Sequence, residues 1–170
     1  MGLDISYYSE VIEVENSNDS EWYFNSEDCH FEYQLGGLKK NTNYISTNDS
    51  ECDSFGAGSY SGYNYWRNKL SQLAGYDDAN SVWQDFNGNL RYLKLKKIEG
   101  EVIKMKPFYE LIYFSDCEGI IGPEISEKLY ADFVDFDDKA KEQDDYFYSL
   151  YCKFKEAFRV AAKGGLVSFN

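Results

Sequence analysis

The chain has 170 residues, of which 43% are hydrophobic and 18% aromatic: enough apolar surface for a single domain spanning 1–170, and too much for a disordered chain. Its formal net charge of −13, from 30 acidic and 17 basic side chains, excludes direct non-specific binding to nucleic acid, because phosphates need a cationic surface. No apolar run approaches the roughly 20 residues that span a bilayer, so no membrane association is expected.

Residues 3–15 read as a strand, since Leu3, Ile5 and Tyr7 alternate and Val11-Ile12-Glu13-Val14 continues the β-rich composition. Residues 16–28 are polar and acidic and read as a surface loop. Phe31, Tyr33 and Leu35 alternate up to Gly36-Gly37, which predicts a second strand. Residues 39–54, rich in Asn, Thr, Ser and Asp, read as another long loop; both loops are expected to be mobile. Gly56, Gly58 and Gly62 then lead into a helix with Tyr63, Trp66, Leu70, Leu73 and Ala74 on one face. Ser59 or Ser61 supplies its N-cap and Gly75 its stop. A short helix is expected over 79–86, a tight turn at Asn87-Gly88, and a hairpin over 89–106.

Phe108 to Phe114 is apolar on both faces, which predicts a central strand. Ser115-Asp116-Cys117-Glu118-Gly119 ends it. Pro123 opens a helix whose core face is Ile125, Leu129, Phe133 and Phe136. In a last helix Phe147, Leu150, Tyr151, Phe154, Ala157, Phe158 and Ala161 form one stripe up to Gly164-Gly165, and Leu166 to Phe169 makes a closing strand. The expected fold is α+β: a small, mostly antiparallel sheet with three to four helices packed on one side.

Charge is uneven along the chain. No Lys or Arg precedes Lys39; Arg91, Lys94, Lys96, Lys97, Lys104 and Lys106 form a basic island; and Asp132, Asp135, Asp137, Asp138, Glu142, Asp144 and Asp145 form an acidic stretch. Such a balance suits a basic partner, including imitation of the charge of a nucleic acid, or serves solubility alone. The cysteines, Cys29, Cys52, Cys117 and Cys152, are widely spaced without a CxxC, so no zinc site of the usual type is expected. Met1-Gly2-Leu3-Asp4 lacks the basic and apolar regions of a secretion signal, and the thiols are expected to be free in a reducing cytoplasm.

Two segments carry a resemblance. Ala57-Gly58-Ser59-Tyr60-Ser61-Gly62-Tyr63-Asn64-Tyr65-Trp66-Arg67 resembles the AGSYSGYNWWR signature of a family of small, uncharacterised phage and prophage proteins. Phe108 to Pro123 is similar to that family's second signature, and Met1 to Ile5 and the region of Phe158, Ala161, Gly164-Gly165 and Phe169 also match. Tyr65 departs from the pattern, which usually has Trp there. The resemblance implies a phage or mobile-element accessory protein in the cytoplasm of a bacterial host, and it brings no catalytic residues with it.

Three constellations carry the possible chemistry. Gly58, Ser59 and Ser61 precede a helix whose first N–H groups are suited to an anion; Arg67 and Asn64 would add polar contacts, and Tyr60, Tyr63 and Trp66 would stack on a base. The GxGxxxG spacing is neither the P-loop nor the dinucleotide fingerprint, and a plain glycine turn feeding an amphipathic helix, with Trp66 in the core and Arg67 in a structural ion pair, is the simpler reading. Asp116, Cys117 and Glu118 follow the expected central strand, where Asp116 and Glu118 would bind a divalent cation, act as acid and base, or simply cap a turn. Glu110 lies within that strand and, if buried, needs a partner, for which Arg67 is the candidate; an Arg67–Glu110 or Arg67–Asp116 pair would join the two signature segments. A dyad of Cys117 with the single histidine, His30, is a further possibility. The function expected first is binding: of a host or defence component, or of a small nucleotide-like ligand, with no cofactor or metal. The alternatives are a small enzyme acting on a nucleotide-like or phosphate-bearing substrate through Arg67, Asp116 and Glu118, and an acidic inhibitor that mimics nucleic acid.

Overall fold

The computed structural model describes residues 2–15, 23–25, 35–47, 51–79, 107–113 and 119–170. In chain order these form β1 (Gly2–Tyr8), β2 (Val11–Val14), β3 (Tyr23–Asn25), β4 (Asn43–Ser46), β5 (Cys52–Ser59), α1 (Tyr60–Leu73), α2 (Tyr109–Tyr113), β6 (Gly119–Ile121), α3 (Pro123–Asp135), α4 (Asp137–Lys141), α5 (Asp145–Ala161) and β7 (Leu166–Phe169). The fold is α+β, as expected, but with two antiparallel sheets rather than one. A four-stranded sheet has the order β5-β1-β7-β6, and a three-stranded sheet the order β2-β4-β3.

Period-two alternation decides which face of the larger sheet meets the helices. Leu3, Ile5 and Tyr7 of β1 and Val167 and Phe169 of β7 join the main core with α1, α2, α3 and α5. Tyr8, Ile120 and Leu166 point the other way and pack with Leu35. The main core is aromatic: Trp66 stacks on Phe154 with ring centroids 4.7 Å apart, and Phe133 meets Tyr151 edge-on, also at 4.7 Å. Both polar tips are satisfied inside it, Trp66 Nε1–H donating to the Phe147 carbonyl at 3.1 Å and Tyr151 O–H to the Phe133 carbonyl at 2.8 Å.

Helix α1 starts and stops as its sequence dictates. Ser59 accepts from the Gly62 N–H at 3.1 Å, and Tyr63, Trp66 and Leu70 are buried. At its end Gly75, at φ 93°, donates to the Gln72 carbonyl and Tyr76 to that of Ser71, the paired bonds of a Schellman stop. Helix α5 is capped by Asp144, which accepts from the Phe147 N–H at 2.9 Å, and its whole predicted stripe is buried. Pro123 opens α3 behind Gly122, where a Cβ would stand 1.7 Å from the Leu35 carbonyl oxygen, so only glycine fits.

Five expectations are corrected. Residues 3–15 are two strands in two different sheets, because Glu10 takes φ 48° and turns the chain between them. The loop expected over 39–54 contains β4 and the start of β5, and β3 lies within the loop expected over 16–28. The glycine segment before α1 is not a turn but most of β5.

The central strand expected from Phe108 is helix α2 over Tyr109–Tyr113. Phe108 takes φ 55°, which breaks the extended path, and its carbonyl accepts from the Leu111 and Ile112 N–H groups at 3.0 and 2.9 Å. A short helix packed on all sides needs apolar residues on every face, which periodicity alone does not separate from a central strand. The helix expected over 79–86, the turn at 87–88 and the hairpin over 89–106 fall almost wholly outside the described residues. No described helix is long and apolar enough to cross a membrane.

Candidate functional site

The residues singled out from the sequence divide among three places. Gly58, Ser59 and Ser61 are exposed at the start of α1, and Tyr60 is half-buried beside them. There Ser59 Oγ is engaged by the Gly62 N–H and lies 3.1 Å from Ser61 Oγ, so the helix caps itself. Tyr63 and Trp66 are each 0% exposed, so neither ring offers a face on which a base could stack. Arg67 is seven residues past the helix start, about 10 Å along the axis at 1.5 Å per residue, and so does not share the N-terminal donors.

Arg67 instead faces α2. Its Nη1 donates to the Ile112 carbonyl at 2.6 Å and its Nη2 to Asn64 Oδ1 at 3.0 Å. The Ile112 carbonyl is one of the last in a five-residue helix, an end that helical geometry leaves without intrahelical donors. The two signature segments therefore do meet, through a guanidinium and a backbone oxygen. Both of these partners are neutral, Arg67 Nε is buried without an acceptor, and no carboxylate among the described residues pairs with the guanidinium.

Glu110 is 0% exposed on α2, and its partner is Lys128 rather than the expected Arg67. Lys128 Nζ stands 2.8 Å from Glu110 Oε2 and 2.7 Å from Asp132 Oδ2, one cation shared by two carboxylates. Asp132 also accepts from the Phe108 N–H at 2.8 Å, so the same cluster holds the residue in the left-handed conformation. Burial pushes the Glu110 carboxyl above its usual range, with Lys128 pulling it partly back, and Asp132 is raised for the same reason. Glu110 Oε1 is buried without a partner, which adds to the cost of the ionised form that Lys128 offsets. Tyr76 lies close enough that burial, and then the charges of Glu110 and Asp132, push its phenol upward; its O–H donates to the Pro107 carbonyl at 3.1 Å. Lys128 and Asp132 were not singled out from the sequence as partners of Glu110. Their i,i+4 spacing on one helix was the available signal, whereas the pairing with Glu110 is tertiary.

Asp116, Cys117 and Glu118, and with them the Cys117–His30 dyad, lie outside the described residues. Of the acidic stretch, Asp132 is paired with Lys128, Asp137 with Lys141 and Lys155, and Asp144 with Lys69. Asp135, Asp138, Glu142 and Asp145 remain exposed around it. Among the described residues no group of His, Cys, Asp and Glu has the make-up of a metal site. Set beside known proteins, the chain matches no family model, no curated protein and no solved structure.

Proposed function

We propose that this protein acts by binding, as an accessory protein that retains an anionic, nucleotide-like ligand where α1 meets α2, with Arg67 as the selecting charge and Asn64 beside it. One observation carries the reading. In a chain with nearly twice as many acids as bases, Arg67 is a half-buried cation whose hydrogen-bond partners among the described residues are both neutral. A phosphate would supply the counter-charge that the described residues withhold, through charge-assisted bonds to a planar donor fork.

Binding is preferred to turnover because the sequence carries no recognisable catalytic set; Asp116 and Glu118, the carboxylates of the enzyme reading, lie outside the described residues, and Glu110 is sealed and tied to Lys128. A group that must move a proton on a substrate has to reach it. The nucleic-acid-mimic alternative loses support from the lysines that already neutralise Asp132, Asp137 and Asp144. A phage origin and a place in the host cytoplasm belong to this reading through the resemblance of the two signature segments.

The test is calorimetric titration of the purified chain with nucleoside mono-, di- and triphosphates and with inorganic phosphate, followed by chromatography of the recovered ligand. The expected result is stoichiometric binding, ligand recovered unchanged, and an affinity at least about tenfold lower in Arg67→Gln. No binding by any of these probes, or equal binding by Arg67→Gln, overturns the proposal; conversion of the ligand moves the protein to the enzyme class.

A further inference from the structure

The two edges of the larger sheet are built differently. At one edge β6 has three residues, all buried. At the other, β5 has eight, mostly exposed, and among the described strands pairs only with β1. An open edge is a row of free backbone donors and acceptors, which proteins ordinarily shorten, cover, or protect with Lys or Pro. Strand β5, Cys-Asp-Ser-Phe-Gly-Ala-Gly-Ser, has neither. Its one irregularity is a bulge around Ala57-Gly58, with Gly58 at φ 91°, which leaves the stretch from Asp53 to Gly56 in regular pairing.

Register shows which groups face outward. Asp4 exchanges backbone bonds with Asn170, on the β7 side of β1. By alternation Ile5 and Tyr7 bond towards β5, to their partners Phe55 and Asp53. Ser54 and Gly56 therefore turn their N–H and C=O groups to the open edge. The Ser54 N–H agrees with this: it donates to the neighbouring Asp53 carboxylate at 2.8 Å, a local substitute for a strand partner.

Alongside this edge runs a groove of about 530 Å³ between β5 and α5, lined by Tyr7, Asp53, Phe55, Cys152, Lys153 and Glu156 among others. Asp53 is exposed and has no cation partner among the described residues, and Lys153 lies over the Phe55 ring at 5.9 Å.

We infer that β5 is a docking edge that accepts an extended, Lys- or Arg-bearing segment of another protein as an added strand. Backbone groups of the segment pair with Ser54 and Gly56, its apolar side chains lie on Phe55, and a basic side chain takes the Asp53 carboxylate. Charge selects this occupant over a second copy of the chain: two molecules at −13 repel, whereas a basic segment is attracted. The inference shares no residue with the Arg67 site and stands without it.

The test uses the full chain and an end-capped peptide of alternating Val and Lys, with two controls: the same peptide N-methylated on its pairing edge, and an alternating Val and Glu peptide. Site-resolved amide hydrogen exchange is expected to slow at Ser54 and Gly56 with the Val–Lys peptide. Affinity is expected to fall at least about tenfold for either control and for the Gly56→Lys chain. Position 56 has room for a side chain, the nearest atom to a Cβ there being an Asp4 carboxylate oxygen at 3.7 Å, so thermal unfolding is expected to match the parent. No protection at Ser54 and Gly56 up to millimolar peptide overturns the inference. So does equal binding of the methylated peptide, which indicates charge attraction alone. Protection that appears with protein concentration in sedimentation, without peptide, also overturns it in favour of self-association.

Discussion

Two cations flank the short helix α2, and the protein treats them oppositely. Lys128 is shared between two carboxylates, one of them fully buried, and together they hold the turn at Phe108. Arg67 reaches the far end of the same helix and meets a carbonyl and an amide, with no carboxylate among the described residues. The difference separates structural charge from available charge. A lysine surrounded by acids is committed to the fold, while an arginine whose described partners are neutral is, on the proposed reading, the charge open to an anion.

The largest effect that sharpens this contrast is expected from Lys128→Met. It leaves Glu110 buried without its cation, and urea denaturation at neutral pH should show a loss of about 3 kcal/mol. A loss under about 1 kcal/mol would mean that Glu110 is already neutral and needs no cation.

Next comes the pH dependence. Both carboxyls are raised in the folded state, so their contribution to stability is complete below the ordinary carboxylate range. It is then lost as pH rises through the folded values. Stability should therefore decline from about pH 4.5 upward, by at most about 1.4 kcal/mol per pH unit for each proton released. Glu110→Gln should flatten that decline, and parallel curves for the two proteins would show that Glu110 does not titrate in this window.

Arg67→Gln removes two hydrogen bonds to neutral acceptors and should cost only about 1 kcal/mol in the absence of ligand, measured by the same denaturation. A cost near that of Lys128→Met would make Arg67 a structural cation too and erase the comparison. The smallest effect is expected at the exposed Lys69–Asp144 pair, where Lys69→Ala should change stability by less than about 0.5 kcal/mol.

How far the sequence could be read depended on whether the information was local. Helices α1 and α5 were legible from end to end because Ser59, Gly75 and the Phe147–Ala161 stripe each act within a few residues. Helix α2 was not, since its hydrophobic residues face the core on every side and what bends the chain is a backbone angle at Phe108, held by a carboxylate 24 residues away. The second sheet was hidden for a similar reason, the break at Glu10 being an ordinary residue in an unusual conformation. At the site, the meeting of the two signature segments was foreseeable, and so was Glu110's need of a partner. The partners themselves were not, because the Ile112 carbonyl belongs to the backbone that every residue has, and Lys128 reaches Glu110 only once α2 and α3 are packed. Tyr63 and Trp66 show the reverse error: aromatic rings suited to stacking on a base are equally suited to stacking on one another.

Strand β7 sits in the interior of its sheet, with Ile5 opposite Phe169 on one side and Ile121 opposite Val167 on the other. During synthesis β1 emerges first and must wait for almost the whole of the described chain before this neighbour leaves the ribosome. Until then β6 lacks the one described strand it joins, and the β7 side of β1 is unfilled. Contacts this distant in sequence make for slow folding, and a nascent chain halted ahead of Leu166 would leave β1 paired on its β5 side alone and β6 without its partner among the described strands.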